Sequence, residues 1–391
     1  MSKAKKVSKD ARHLHALKPI ELGSLPDRPL VSILITNHNY AKYLGDAIES
    51  ALRQSYRNLE VIICDDGSTD VSTEILAVYE SRDSRIKVAQ QSNGGQSLAL
   101  NTAFNNSSGE IICLLDADDF FLPGKVGLVV DAFAQSPGSG LAVHKMSLVN
   151  GNRKYLGEIP CLCNLPSGWQ GALADLSGPH VLPGLPPTSG LSLRRPVAEA
   201  IFPLPVGLKA YSDTLIQVVG PLATPVVAVN LALSEYRVHG ANIGGVSTFT
   251  EARLRDIVAY EKEIWGAWRR YLSSASAAGS PCPPLPEERA LSLMDYAYAR
   301  YRSDGDFVKT YGAVAPDQID CLPGPLRWFW RASLFAPDWL FRRAFDFAYG
   351  QPRLKMMMRR ALNAWRNRSQ PIHVGTSRRR GEHVARELAQ F

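Results

Sequence analysis

The chain has 391 residues, 45% of them hydrophobic, and a formal charge of +7, ample for one large domain plus a smaller one. Its six cysteines, at 64, 113, 161, 163, 282 and 321, lack zinc-site pairing and fit reduced thiols in a cytosolic protein. The amino terminus is polar and basic with no apolar core, which excludes a signal peptide, and residues 1–28 are expected to be flexible.

In chain order, the first apolar, β-branched run is Leu30–Thr36, which breaks into Asn37-His38-Asn39-Tyr40. Leu59–Cys64 follows and breaks into Asp65-Asp66-Gly67-Ser68-Thr69-Asp70. Ile86–Gln90 ends at Asn93-Gly94-Gly95, and Ile111–Leu115 ends at Asp116-Ala117-Asp118-Asp119. Helical spacing separates them: Ala47, Ile48, Ala51 and Leu52; Ile75, Leu76, Val78 and Tyr79; Leu98, Ala99, Thr102 and Ala103. Near-continuous apolar strands alternating with amphipathic helices predict an α/β fold, a mostly parallel sheet with helices on both faces. Ligands of such sheets bind outside the carboxyl ends of the strands, where all four runs turn polar.

The turn at Asp116–Asp119 has two readings. Clustered carboxylates repel and raise one another's pKa, which a divalent cation with oxygen ligands relieves, so one reading is a metal–diphosphate site. The other is a solvated acidic turn that caps the next helix. Asn93-Gly94-Gly95 reads either as backbone N–H groups and a helix dipole facing an anion or as a tight turn without a ligand.

Leu215–Ser234 contains no charged residue, but Gln217, Gly220, Pro221, Pro225 and Asn230 break it into a short helix and a strand, Val226–Leu233, rather than a membrane span. Thr250–Leu272 and Ala290–Tyr301 have helical spacing on either side of a Ser/Ala/Pro-rich linker, 273–286. From Cys321 onward there are 14 lysines and arginines against four acidic residues, interleaved with aromatics such as Trp328, Phe335, Trp339 and Phe347. This basic-aromatic region suits either an anionic membrane surface or a helical subdomain packed on the core. No nucleic-acid motif accompanies the charge, so no nucleic-acid partner is expected.

The ordered set Asn37–Leu44, Ser50–Ser55, Glu60–Asp70, Asn93–Gly95, Asn101 and Gly109–Asp119 resembles the amino-terminal half of a family 2 inverting glycosyltransferase. The resemblance is dense over about residues 29–135 and sparser to about 245. It implies a GT-A fold at 29–245; beyond it, spacing and composition predict a helical carboxy-terminal region at 246–376 and a flexible tail at 377–391. The resemblance also implies a nucleotide-diphosphate sugar donor, Mn²⁺ or Mg²⁺, and a glycan or glycolipid acceptor in cell-surface polysaccharide synthesis, while the cysteines and the basic-aromatic region suggest a cytoplasmic protein with peripheral membrane contact.

Carried over residue by residue, Asp66 binds the nucleoside base, with Thr36, Asn39 and Tyr40 lining the same pocket and Asn93 and Gly94 beside it. Asp116 contacts the ribose and Asp118 holds the metal. Asp119 either orients the acceptor or caps a helix. Asp213 takes the proton from the acceptor hydroxyl; the family usually has Glu-Asp there, and this chain has Ser212-Asp213. In Glu235–Asn242, Arg237 clamps phosphate and His239 is a metal ligand or diphosphate contact. Two other functions stay open: a nucleotidyltransferase, for which Asn37–Tyr40 lacks the basic glycine-rich motif, and a non-catalytic nucleotide-sugar-binding or membrane-assembly protein, which Ser212 keeps alive.

Overall fold

The computed structural model describes residues 17–349 apart from 172–177, 180, 182, 240–241, 243–248, 281–284, 286–287, 290, 313–318, 320–323 and 334. The expected flexible tail at 377–391 lies outside the described residues. Among the described residues two compact units separate, one up to 245 plus 250–321, the other Phe249 plus those from 324 on.

The first unit is built on a nine-stranded sheet. Its parallel half is β1 (Val31–Asn37), β2 (Leu59–Asp66), β3 (Ile86–Gln91) and β4 (Ile111–Asp116), in the order β3-β2-β1-β4. Helices α1 (Ala41–Leu52), α2 (Ser72–Arg82) and α3 (Gln96–Asn105) make the crossovers. Strand alternation sends side chains to two cores. Val31, Ile33 and Ile35 pack with Leu44, Ala47 and Ile48 of α1 on one face. Leu34, Ile62 and Leu114 pack with Ala99, Leu100 and Ala103 of α3 on the other. Both faces are covered, which is why these strands read as unbroken apolar runs.

The second half of the sheet is mixed. It contains β5 (Phe120–Phe121), β6 (Leu141–Asn150), β7 (Tyr155–Glu158), β8 (Leu191–Arg194) and β9 (Val226–Val238), and α4 (Lys125–Gln135) follows β5. β4 pairs antiparallel with β8, β8 antiparallel with β6, and β6 parallel with β9. β9 runs five residues beyond the expected Leu233 and pairs at Ser234 and Glu235 with β5. That pairing folds the acidic turn after β4 against the end of β9.

Helices α5 (Arg195–Ile201), α6 (Ser212–Ala223) and α7 (Glu251–Ala277) cover the α3 face. The expected boundary at 245/246 is therefore corrected, because Ile264, Trp268 and Leu272 of α7 are buried in the core of the first unit. α8 (Leu293–Arg302) begins with a capping box, Ser292 with Asp295, and α9 is Gly305–Gly312. The flexible segment expected at 1–28 is also corrected for 17–28: Leu17 is buried in the core, and the Ile20 N–H donates to the Ala223 carbonyl at 2.8 Å. Residues 1–16 lie outside the described residues. Among the described residues no helix is long and apolar enough to cross a membrane. The uncharged stretch before Ser234 is α6 and β9.

The second unit holds α10 (Gly324–Ser333) and α11 (Asp338–Tyr349). Trp330, Phe341 and Phe345 form its core, with the Trp330 indole N–H donating to the Tyr349 hydroxyl at 2.6 Å.

Candidate active site

A cavity of about 340 Å³ opens at the carboxyl ends of β1, β2 and β4, and Thr36, Tyr40, Asp66, Asn93, Asp116, Asp118 and Asp213 all line it. Residues separated by up to 177 positions meet because the strands end in register: Thr36 lies beside Cys64 on one side and Asp116 on the other.

At one end the Asp66 carboxylate accepts from Gln91 Nε2 at 2.7 Å, the Gly94 N–H at 2.8 Å and the Gly95 N–H at 2.7 Å. A carboxylate offers about four acceptor positions, so roughly one remains for a ligand donor. Of the two readings of Asn93-Gly94-Gly95, the structure favours the turn without a ligand, because the Gly94 and Gly95 N–H groups face the Asp66 carboxylate. The next two N–H groups of α3, from Gln96 and Ser97, donate to the carbonyls of Lys209 and Leu208 at 3.0 and 3.3 Å. The α3 amino terminus is thereby closed by the loop before α6. Asn101 pins that loop by exchanging two hydrogen bonds with the Leu204 backbone, at 2.7 and 2.9 Å.

Asn93 stays on the rim. His38 donates from Nδ1 to the Asp66 carbonyl at 2.8 Å, which leaves Nε2 to accept from the Asn93 amide at 3.1 Å. Asn39 does not line the cavity. It holds a positive φ of 59°, and its Oδ1 accepts from the Thr69 and Asp70 N–H groups at 2.7 and 3.3 Å, so it ties two loops together. Ser68 also bridges loops, its hydroxyl donating to Asp65 at 2.6 Å and accepting from the Asn39 N–H at 2.9 Å. Asp70 meets the start of α2, accepting from the Ser72 N–H at 3.0 Å.

The acidic end gathers residues from three elements. Asp116 closes β4 and accepts from Gln96 Nε2 at 3.2 Å. Burial first, then the charges of Asp118 and Asp213, push its carboxyl up to about 8. Asp213 lies in the first turn of α6 and accepts from the Thr188 N–H at 3.3 Å; burial raises its pKa too. Tyr211, just before it, is held at φ 59°, a left-handed conformation costly for a bulky residue. Burial and then the nearby aspartates push the phenols of Tyr40 and Tyr236 upward, so both stay protonated donors.

Asp118 is met from behind. His239 Nε2 donates to its Oδ2 at 3.0 Å, and Asn242 Nδ2 donates to the same oxygen at 3.2 Å. The His239 ring lies 4.7 Å from the Tyr43 ring, and the Arg237 guanidinium lies 4.7 Å from that same ring. Arg237 is buried, and its Nη2 pairs with Asp46 at 2.8 Å. A phosphate-clamping role is corrected on that geometry: the guanidinium is directed to α1, away from the cavity. Asp119 caps no helix; its two oxygens accept from the Ser189 hydroxyl at 2.6 Å and the Arg237 N–H at 3.0 Å, fastening the acidic turn to β9.

The donor set fits a hard divalent cation. The charges of Asp118 and Asp213 act unfavourably on Asp116, and oxygen ligands with one imidazole suit Mn²⁺ or Mg²⁺. Among the described residues no three acidic, histidine or cysteine side chains already form a coordination shell. Asp118 would supply one protein ligand and His239 a second once its Nε2 exchanges the proton it donates to Asp118 for the cation, with a diphosphate and water as the remainder. Sequence reasoning missed Gln96, Thr188, Lys209, Tyr211 and Tyr236, all of which line the cavity. Gln96, Tyr211 and Tyr236 adjoin or fall within quoted motifs.

Residues 32–160 match glycosyl transferase family 2. This chain carries a family 2 glycosyltransferase domain. An uncharacterized glycosyltransferase of Nostoc sp. is 35% identical over 220 residues, 54% of this chain and 66% of that protein. The chondroitin synthase of Escherichia coli is 44% identical over 114 residues, 29% of this chain but 17% of that one. The chain thus spans just under two thirds of the first relative and a small part of the second. S. aureus TarS 1-349 in complex with UDP-GlcNAc aligns with a TM-score of 0.50 at 17% identity, covering 85% of this chain and 92% of that one, a likeness of fold. The glycosyltransferase domain places its cavity where the strands of that fold end.

Proposed function

We propose that the chain is an inverting glycosyltransferase that moves a sugar from a nucleoside-diphosphate donor to a hydroxyl of a glycan or glycolipid, in polysaccharide assembly. One observation carries this reading: a single cavity collects Asp66 at one end and Asp116, Asp118 and Asp213 at the other. Asp66 accepts from a nucleobase N–H, and Asp116 from a ribose hydroxyl. Asp213 takes the proton from the acceptor hydroxyl, whose oxygen bonds to the anomeric carbon as the bond to the diphosphate breaks on the opposite face. Its burial, which raises its proton affinity, suits a base. Gln96 and Thr188 hold Asp116 and Asp213 in place. A divalent cation bound by Asp118 and His239 would supply charge neutralisation for the diphosphate.

Asp213→Asn tests the assignment. Transfer should fall by about a hundredfold or more, the usual worth of a general base. Nucleoside-diphosphate binding should remain, as calorimetry would register. Full transfer by that variant would remove Asp213 from the reaction.

A further inference from the structure

The second unit divides its aromatic residues sharply. Trp330, Phe341 and Phe345 are fully buried, whereas Trp328, Phe335, Trp339 and Phe347 are 75, 90, 64 and 45% exposed. The exposed ones are ordered. On α11, Trp339, Arg343 and Phe347 recur every four residues and share one exposed stripe. On α10 and the turn after it, Trp328, Arg331 and Phe335 recur at three and four residues, and all are exposed. Each stripe is an aromatic, an arginine and an aromatic.

The two acidic groups among the described residues of these helices are half-buried. Asp346, on α11, accepts from the Phe249 N–H at 2.7 Å and is half-buried, and Asp338 is half-buried at the helix start. Large exposed apolar residues in series mark an interaction surface, since water solvates them poorly. Arginine set between aromatic rings matches a bilayer interface, where rings sit at headgroup depth and guanidinium groups meet lipid phosphate. The charge read from the sequence has the matching sign. The chain is +7 overall, yet residues 321–391 hold 14 basic against four acidic residues, so the rest of the chain is slightly acidic.

We propose that the exposed stripes of α10 and α11 form a docking surface for an anionic lipid bilayer. The rings of Trp328, Phe335, Trp339 and Phe347 enter the interface, and Arg331 and Arg343 bind headgroup phosphates. The proposal is independent of the transfer reaction.

Vesicle sedimentation with the full chain tests it, using phosphatidylcholine alone and phosphatidylcholine mixed with phosphatidylserine. Wild type should sediment with the mixed vesicles, less with the neutral ones, and less as salt rises. Arg331→Glu/Arg343→Glu should weaken binding at least about fivefold per arginine. Trp339→Ser/Phe347→Ser leaves the charge unchanged and should also weaken it. All four positions are exposed, so thermal unfolding should match wild type and report intact folding. Quenching of tryptophan fluorescence by brominated lipid should fall in that second variant. Failure of wild type to bind the mixed vesicles overturns the proposal. So does unchanged binding by the aromatic variant, or loss of a stable oligomer in both variants without vesicle binding, which would assign the stripes to a second copy of the chain.

Discussion

Glu60 illustrates how one carboxylate is held by its surroundings. Burial would raise its pKa, but donors from Lys87, Ser108 and Ser32 outweigh that and bring it from 4.5 to about 2. A depressed carboxylate pKa contributes stability above the unfolded value, and that contribution is lost as pH falls toward the folded one. Glu60→Gln should therefore cost roughly 1–3 kcal/mol at neutral pH, and the gap to wild type should close between about pH 4.5 and pH 2. Urea unfolding at several pH values measures this; a gap independent of pH would contradict it. Arg237 makes a second residue-scale case. Because its guanidinium pairs with Asp46 and stacks on Tyr43, Arg237→Ala should cost the fold about 1–3 kcal/mol, less than a fully buried pair because Asp46 is half exposed. Nucleoside-diphosphate affinity of the folded fraction should change little. A large loss of affinity at unchanged stability would restore the phosphate role.

The α3 amino terminus is where element-scale packing shapes the site. Gly95 has φ +91°, and a Cβ there would lie 2.5 Å from the Lys209 Cα. At Gly94 the atoms nearest an added Cβ belong to the Leu98 side chain, which can turn aside. Gly95→Ala should cost ~1–3 kcal/mol and Gly94→Ala less, as thermal unfolding of the two would show. Equal costs would mean that the loop before α6 does not seal the helix. That seal also explains what could be read from the chain alone. The four parallel strands were legible because burial on both faces leaves unbroken apolar runs, and their polar ends located the cavity. The carbonyls of Leu208 and Lys209 that close α3 were not legible, since backbone acceptors carry no residue signature. Two glycines before a helix look the same whether they face a phosphate or Asp66. Arg237 was misplaced for a related reason: its motif locates the backbone at the cavity, while the pairing with Asp46, 191 positions earlier, decides where the side chain goes. β5 is too short for any periodicity, yet it fixes the acidic turn to β9.

At the scale of the whole molecule, charge sets the terms of ligand binding. The cavity concentrates Asp66, Asp116, Asp118 and Asp213, and a nucleoside diphosphate brings further negative charge. Two like charges about 4 Å apart repel by roughly 4 kcal/mol at an effective dielectric near 20, comparable to the whole binding energy of a weak ligand. A bound cation would offset this repulsion. Calorimetric titration of the purified chain with a panel of nucleoside diphosphates, with and without Mn²⁺, is the most direct test. At least one should bind in Mn²⁺, about tenfold or more weaker in chelator, and Asp118→Asn should abolish the difference. Equal affinity with and without the cation, or no binding by any of the panel, would contradict a donor site at these aspartates.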